Sequence, residues 1–137
     1  MAFDIKKVKY FNFTVDGHVG EGTKLLSVFA GAGISLLAFK AVPLGPNRTR
    51  FTLFPNDPSK MIEAAKKKGL ELEGPRAGLI VQGSDESGAL AEIYEKLSQA
   101  GVRVNESSGI ADIQGWYGVV LSLEQEDCEK AAAALEM

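Results

Sequence analysis

The sequence holds one cysteine, Cys128, and one histidine, His18, in 137 residues. A lone thiol closes no internal disulfide, and a single imidazole beside it cannot complete an all-protein zinc site. The nucleophile, base and orienting group of Cys/His catalysis cannot be collected from so few residues either. Cys128 lies moreover in an acidic run, Glu126-Asp127-Cys128-Glu129, which disfavours its thiolate. No apolar stretch approaches the ~20 residues that a membrane span needs. The N-terminal stretch carries Asp4, Lys6, Lys7 and Lys9 where a secretory signal would be apolar. These absences argue against membrane insertion and export and predict a cytoplasmic location. The sequons at Asn47 and Asn105 are then chance matches.

An excess of one charge is lacking as well. The net charge is −3, with 45% hydrophobic and 24% charged residues, as in an ordinary globular protein of one domain or two very small ones. Its distribution is uneven: residues 1–74 sum to +4 and residues 75–137 to −7. A nucleic-acid partner for the whole chain is excluded, because phosphate neutralisation needs a contiguous basic face. The triplet Lys66-Lys67-Lys68 reads as the solvated last turn of a helix, where cations suit the dipole.

What is present is one pattern written twice, at an offset of 68 residues. Gly20/Gly88, Ala32/Ala100 and Gly33/Gly101 are identical, while Leu25/Ile93, Leu26/Tyr94, Phe29/Leu97, Ile34/Val102 and Leu53/Leu121 match in class. Each copy opens with an apolar, β-branched or aromatic run, Tyr10 to Val15 or Gly78 to Val81, expected as a strand. A glycine turn follows, then apolar residues at helical spacing: Leu25, Leu26, Phe29 and Ala32 in one copy, Leu90, Ile93, Leu97 and Ala100 in the other. Gly33 and Gly101 stand where a left-handed cap stops each helix. The period then shortens over Ile34 to Val42 and Val102 to Ile110, giving a second strand.

Turns at Pro43–Asn47 and Ala111–Gly115 lead into a third strand at Thr49 to Phe54 or Trp116 to Leu123. The second helix begins after Asp57-Pro58, a cap and a first-turn proline, with its counterpart near Gln125-Glu126. A short strand, Leu70-Glu71-Leu72, closes the first copy before a Gly74-Pro75 linker. The reading is therefore α+β: two ferredoxin-like βαββαβ units, antiparallel sheets with helices on one face, over residues 1–74 and 75–137, the second lacking its last strand. That lack exposes the edge of residues 77–82. The N-terminal segment Phe3–Lys9, a second subunit or the neighbouring copy is expected to cover it.

These residues resemble the ACT domain family, small ligand-sensing modules of ferredoxin-like fold often found in tandem. Its pattern is a hydrophobic strand, then Asp-x-x-Gly-x-Leu opening a helix, then Gly-x-Asn-hydrophobic at the entry to strand two. Asp85-Glu-Ser-Gly88-Ala-Leu90 fits the first part, and Gly101-Val102-Arg103-Val104 the second except at Arg103. In the first copy Gly20 fits; Gly17 stands at the acidic position with Asp16 one place early, Gly22 replaces Leu, and Ser35 replaces Asn. The resemblance implies a non-catalytic regulatory protein, a homodimer that binds an amino acid or similar small molecule noncovalently at the strand-to-helix turns. Any enzyme it regulates is then a separate chain. No cofactor and no metal is implied.

The turn Asp16 to Gly22 supports such binding on physical grounds. Three glycines let the backbone approach a ligand, and the first amides of the helix face outward toward a carboxylate, with Asp16 available for an ammonium. His18 stands in the same turn and could bond a ligand, or simply face solvent. Asp85, Ser87 and Gly88 form the counterpart, with Ser35 and Arg103 in the second rank. The plainer explanation is that Asp85 or Ser87 caps a helix and the glycines make a tight turn.

Three rivals are weaker. Gly17 to Lys24 nearly spells a phosphate-binding loop, but Thr23 and Lys24 are in reversed order, which turns the lysine ~100° around the helix. RNA stacking on Trp116, Tyr117 or Tyr10, Phe11 and Phe13 lacks the basic aromatic signature of that activity, so core packing explains them better. An acyl-phosphate enzyme finds no arginine in either glycine turn. A ligand-free assembly module remains the alternative of another class.

Overall fold

The computed structural model of the chain describes residues 3–17, 19–84 and 87–136. Its elements are β1 (Asp4–Asp16), α1 (Val19–Gly31), β2 (Leu36–Gly45), β3 (Arg48–Pro55), α2 (Pro58–Lys68), β4 (Glu73–Ser84), α3 (Ala89–Gln99), β5 (Val104–Ala111), β6 (Trp116–Leu123) and α4 (Cys128–Glu136), the last preceded by a single 3₁₀ turn over Gln125–Asp127. The fold is α+β, as expected. Two compact units result, one of residues 9–75 and one of residues 1–8 with 76–137.

In the 9–75 unit β3 lies between β2 and β1, antiparallel to both. Alternation along the strands sends Phe11, Val15 and Leu53 to the face where Leu25 and Phe29 of α1 and Met61, Ala64 and Ala65 of α2 complete one core. Both helices thus lie on one side of the sheet. Tyr10 and Phe54, on the other face, are buried against each other with ring centroids 5.0 Å apart. Asp57 caps α2 through the Lys60 N–H (3.1 Å), and the triple lysine closes it.

The second unit repeats the plan. Leu79 and Val81 of β4 and Val119 and Leu121 of β6 meet Ile93 and Leu97 of α3 and Leu135 of α4. The 68-residue register carries Phe11 onto Leu79, Leu25 onto Ile93, Phe29 onto Leu97 and Leu53 onto Leu121, all core positions. The glycine stops also repeat. Gly33 has φ +78° and Gly101 φ +71°, and the next residue donates back to the helix, Ile34 to Phe29 and Val102 to Leu97, each at 3.0 Å.

Several local expectations change. Leu90 is not in the buried stripe of α3; it is 46% exposed, and Ala89 takes the inward place. Residues 70–72 form no strand, because Leu70 follows the Gly69 cap of α2 and packs with Leu72 against the core without entering the sheet. The strand begins instead at Glu73 and runs through Gly74-Pro75, which the sequence suggested as a linker. Pro43 and Gly45 belong to β2, with an irregular register between them, so the hairpin turn is Pro46-Asn47 alone.

The edge at residues 77–82 is covered from the N-terminus. The strand order places β1 beside β4, and residues 1–8 belong to this unit. Phe3 and Ile5 pack on its core, Lys96 lies 5.8 Å from the centre of the Phe3 ring, and Lys7 binds Glu129 at 2.5 Å.

One contact seats α1 on its sheet. Gly22 is buried, and a Cβ built there would lie 2.7 Å from Cζ of Phe51, so the far end of the ring abuts the helix backbone. At Gly20, two positions earlier and on the other side of the helix, an added Cβ meets nothing within 4 Å.

Two outcomes follow from this packing. Gly22→Ala forces the ring aside and should cost about 1–3 kcal/mol in urea unfolding, whereas Gly20→Ala should be neutral or stabilising by up to about 1 kcal/mol; equal effects would refute the contact. Amides of residues 78–82 facing β1 should be protected from hydrogen exchange, and protection should vanish when residues 1–8 are deleted. Unchanged exchange in the truncated chain would show that the N-terminal strand does not cover this edge.

Candidate functional site

Antiparallel pairing of β1 with β3 runs from Phe11↔Leu53 to Asp16↔Arg48. The end of β1 therefore lies beside the start of β3, and the β2–β3 hairpin is carried to the glycine turn. Gly17 leaves the strand at φ +119°, a conformation that favours glycine, and its N–H donates to the Asn47 carbonyl at 2.8 Å. Arg48 Nε donates to Asp16 Oδ1 at 3.0 Å. Both side chains are largely exposed, 59% and 79%, so the pair is held loosely and opens at little cost.

A groove of about 540 Å³ lies between this hairpin and the start of α1. Such a volume falls within the range of small-molecule sites. Gly17 and Gly20 line it on the helix side, and Asn47, Arg48, Thr49 and the Phe51 ring on the hairpin side. Strand alternation directs Val15, Thr49 and Phe51 toward α1, and Asp16 and Arg48 to the opposite face at the strand end. The groove has an apolar floor with a salt-bridged rim.

Of the residues that the sequence singled out, Asp16, Gly17 and Gly20 come together here. His18 belongs to the same turn but lies outside the described residues. Ser35 does not join them: β2 separates it from the hairpin by ~30 Å at 3.3 Å per residue. Its N–H donates to Asn56 Oδ1 (3.1 Å), and its carbonyl accepts the Asn56 N–H (2.8 Å). Arg103 has the matching place in the other unit, its N–H directed at Asp127 Oδ2 (3.4 Å). In both units this backbone N–H anchors the chain just ahead of the second helix.

The second turn differs in its charges. The positions equivalent to Asp16 and Arg48 are Ser84 and Trp116, which face each other across β4 and β6, so an ion pair is replaced by a hydroxyl and an indole that is 54% exposed. Ser87 is exposed and does not cap α3. The cap is Gly88, at φ +89° and without a side-chain bond, whose carbonyl accepts the Glu92 N–H at 2.9 Å. Asp85 lies outside the described residues.

Arg48, Asn47, Thr49 and Phe51 were not identified from sequence. The signal was available: in a βαββαβ unit the third strand runs antiparallel to the first, so its opening residues must border the first turn. Arg48 also supplies an arginine beside this turn, although it is already committed to Asp16. Lys24 is held by Glu21 at 3.3 Å on the α1 surface. Cys128 is buried, which pushes its thiol above the ordinary range, with Lys7 opposing and Glu129 adding to the rise. No cluster of three or more His, Cys, Asp or Glu suited to a metal occurs among the described residues, and none of the described helices is long and apolar enough to cross a membrane.

A larger groove, about 780 Å³, runs beside Phe13, Ile62, Lys66, Leu70 and Leu72 of the same unit. Four of those side chains already pack on the core, whereas the smaller groove has the Asp16–Arg48 pair at its edge. The smaller groove is the better candidate.

No protein-family model and no curated protein matches the chain. Solved structures do. Protein BT0572 from Bacteroides thetaiotaomicron is similar over 96% of this chain and 88% of its own length, with a TM-score of 0.81 at 21% identity. The regulatory subunit of aspartate kinase from Thermus thermophilus, in its ligand-free form, covers 98% of this chain and 95% of its own at TM-score 0.70 and 15% identity. Aspartokinase III of E. coli, solved in complex with aspartate and ADP, matches 98% of this chain with 32% of its own length, at TM-score 0.59 and 15% identity. At these identities the likeness establishes the fold alone, which is the one that the regulatory subunit of aspartate kinase from Thermus thermophilus has.

Proposed function

We propose that the chain is a non-catalytic regulatory module that binds a free amino acid in the groove at the first glycine turn. The observation that carries this reading is the juxtaposition of an open groove of about 540 Å³ with the Asp16–Arg48 pair. An α-amino acid is a zwitterion, and an exposed ion pair offers it both complements: Arg48 for the carboxylate and Asp16 for the ammonium. The first amides of α1 add donors for the carboxylate, and Gly20 leaves room for it. The regulatory subunit from Thermus thermophilus has the same fold, which supports a regulatory role over a catalytic one.

Binding acts by differential affinity. A ligand that fits one arrangement of two copies, or of this chain with a separate enzyme, shifts the population toward it. A homodimer is the arrangement in which Ser35 of one copy could reach the turn of another. The turn of the second unit, with Ser84 and Trp116 in place of the ion pair, is the poorer site, so one ligand per chain is expected.

A thermal-shift screen of the twenty L-amino acids at millimolar concentration tests this reading. A ligand at 100 times its Kd adds about 2.7 kcal/mol, which raises Tm by several degrees in a protein of this size. At least one amino acid should do so. Gly20→Leu should abolish the shift while keeping the Tm of the free protein, and Arg48→Ala should weaken binding at least tenfold. Uniform absence of stabilisation would overturn the proposal and favour a ligand-free assembly module.

A further inference from the structure

Building on that reading, we infer that the amino acid selected by the first turn carries an apolar side chain of about the size of valine or leucine. Among the described residues that line the groove, the charge lies at its strand end, on Arg48. Asp16 and Arg48 face away from α1 by strand alternation, and they are used by the ammonium and carboxylate that every amino acid shares. The part of the groove that remains for the side chain is walled by Val15, Pro46, Phe51 and the backbone of Gly22.

That wall discriminates by what it withholds. Among the described lining residues Arg48 is the one ionised side chain, and its partner Asp16 is engaged by the ligand's own ammonium, so among these residues no second carboxylate remains to meet a lysine or arginine side chain. Glu21, whose Cγ lies 3.4 Å from where a Cβ at Gly17 would stand, is held by Lys24 at 3.3 Å. A charged side chain entering beside the Phe51 ring would lose its hydration without a counter-charge. Asn47 and Thr49 are the remaining polar side chains among the described lining residues, and neither an amide nor a hydroxyl carries the charge that would offset an ammonium. An apolar side chain, in contrast, gains by leaving water, and one buried methylene is worth about fourfold or more in binding.

The Phe51 ring also sets the depth. It rests on Gly22 where a Cβ would come within 2.7 Å of Cζ, so Gly22 is what keeps the ring down and the groove open. Enlarging residue 22 pushes the ring into the space that the ligand side chain needs.

Isothermal titration of the full chain with glycine, alanine, valine, leucine, lysine and aspartate tests the inference. Valine or leucine should bind at least tenfold more tightly than alanine, and lysine and aspartate should bind no better than glycine. Gly22→Ala should weaken leucine at least tenfold while changing alanine less than threefold. Should that variant fail to fold, the order of the six ligands on the unmodified chain decides alone. Preference for lysine or aspartate would overturn the inference and leave an amino-acid site standing; no binding by any of the six, nor by the other amino acids, would overturn both.

Discussion

The antiparallel register of β1 against β3 is the constraint on which the candidate site depends. By pairing Asp16 with Arg48, 32 residues further along the chain, it brings a hairpin turn to the point where the first strand becomes a helix. A one-residue slip of β1 would break the Asp16–Arg48 pairing, turn Val15 away from α1 and direct Asp16 toward the core. The core forbids that slip, because Phe11, Leu53 and their neighbours must keep facing Leu25 and Phe29. Hydrophobic burial thus fixes, through strand alternation, the position of two exposed charges that contribute almost nothing to stability themselves.

The two units show how one fold carries two different turns. Their cores are interchangeable in kind, position by position, yet the residues at the strand ends have diverged from Asp16 and Arg48 to Ser84 and Trp116. Positions that hold the fold and positions that could hold a ligand are therefore separable. The helix-to-strand junctions belong to the first group: Ser35 and Arg103 both place a backbone N–H on a side chain ahead of the next helix, whatever their side chains do.

Most of the architecture was legible in the sequence because it rests on periodicity and glycine. The core pairs, the left-handed stops at Gly33 and Gly101, and the Asp57-Pro58 helix start all follow from local rules. What escaped was set by tertiary position. Leu70 and Leu72 alternate like a strand, but the Gly69 cap spends them on the core. Leu90 has helical spacing, but its neighbour Ala89 faces inward. Arg48 had no local motif at all, and only the pairing order of the strands places it beside Asp16. Gly22, an apparent departure from the family pattern, is explained by the ring of Phe51 occupying its side.

Two-dimensional amide NMR of the full chain, titrated with leucine, addresses the central claim most directly. Binding at the first turn should move the resonances of Gly17, Gly20, Gly22, Arg48 and Thr49 in a saturable way, with little change at Gly83, Ser87 and Gly88. Shifts confined to the second turn, or to residues 69–74 beside the larger groove, would contradict it, as would a spectrum that leucine and the other amino acids leave unchanged.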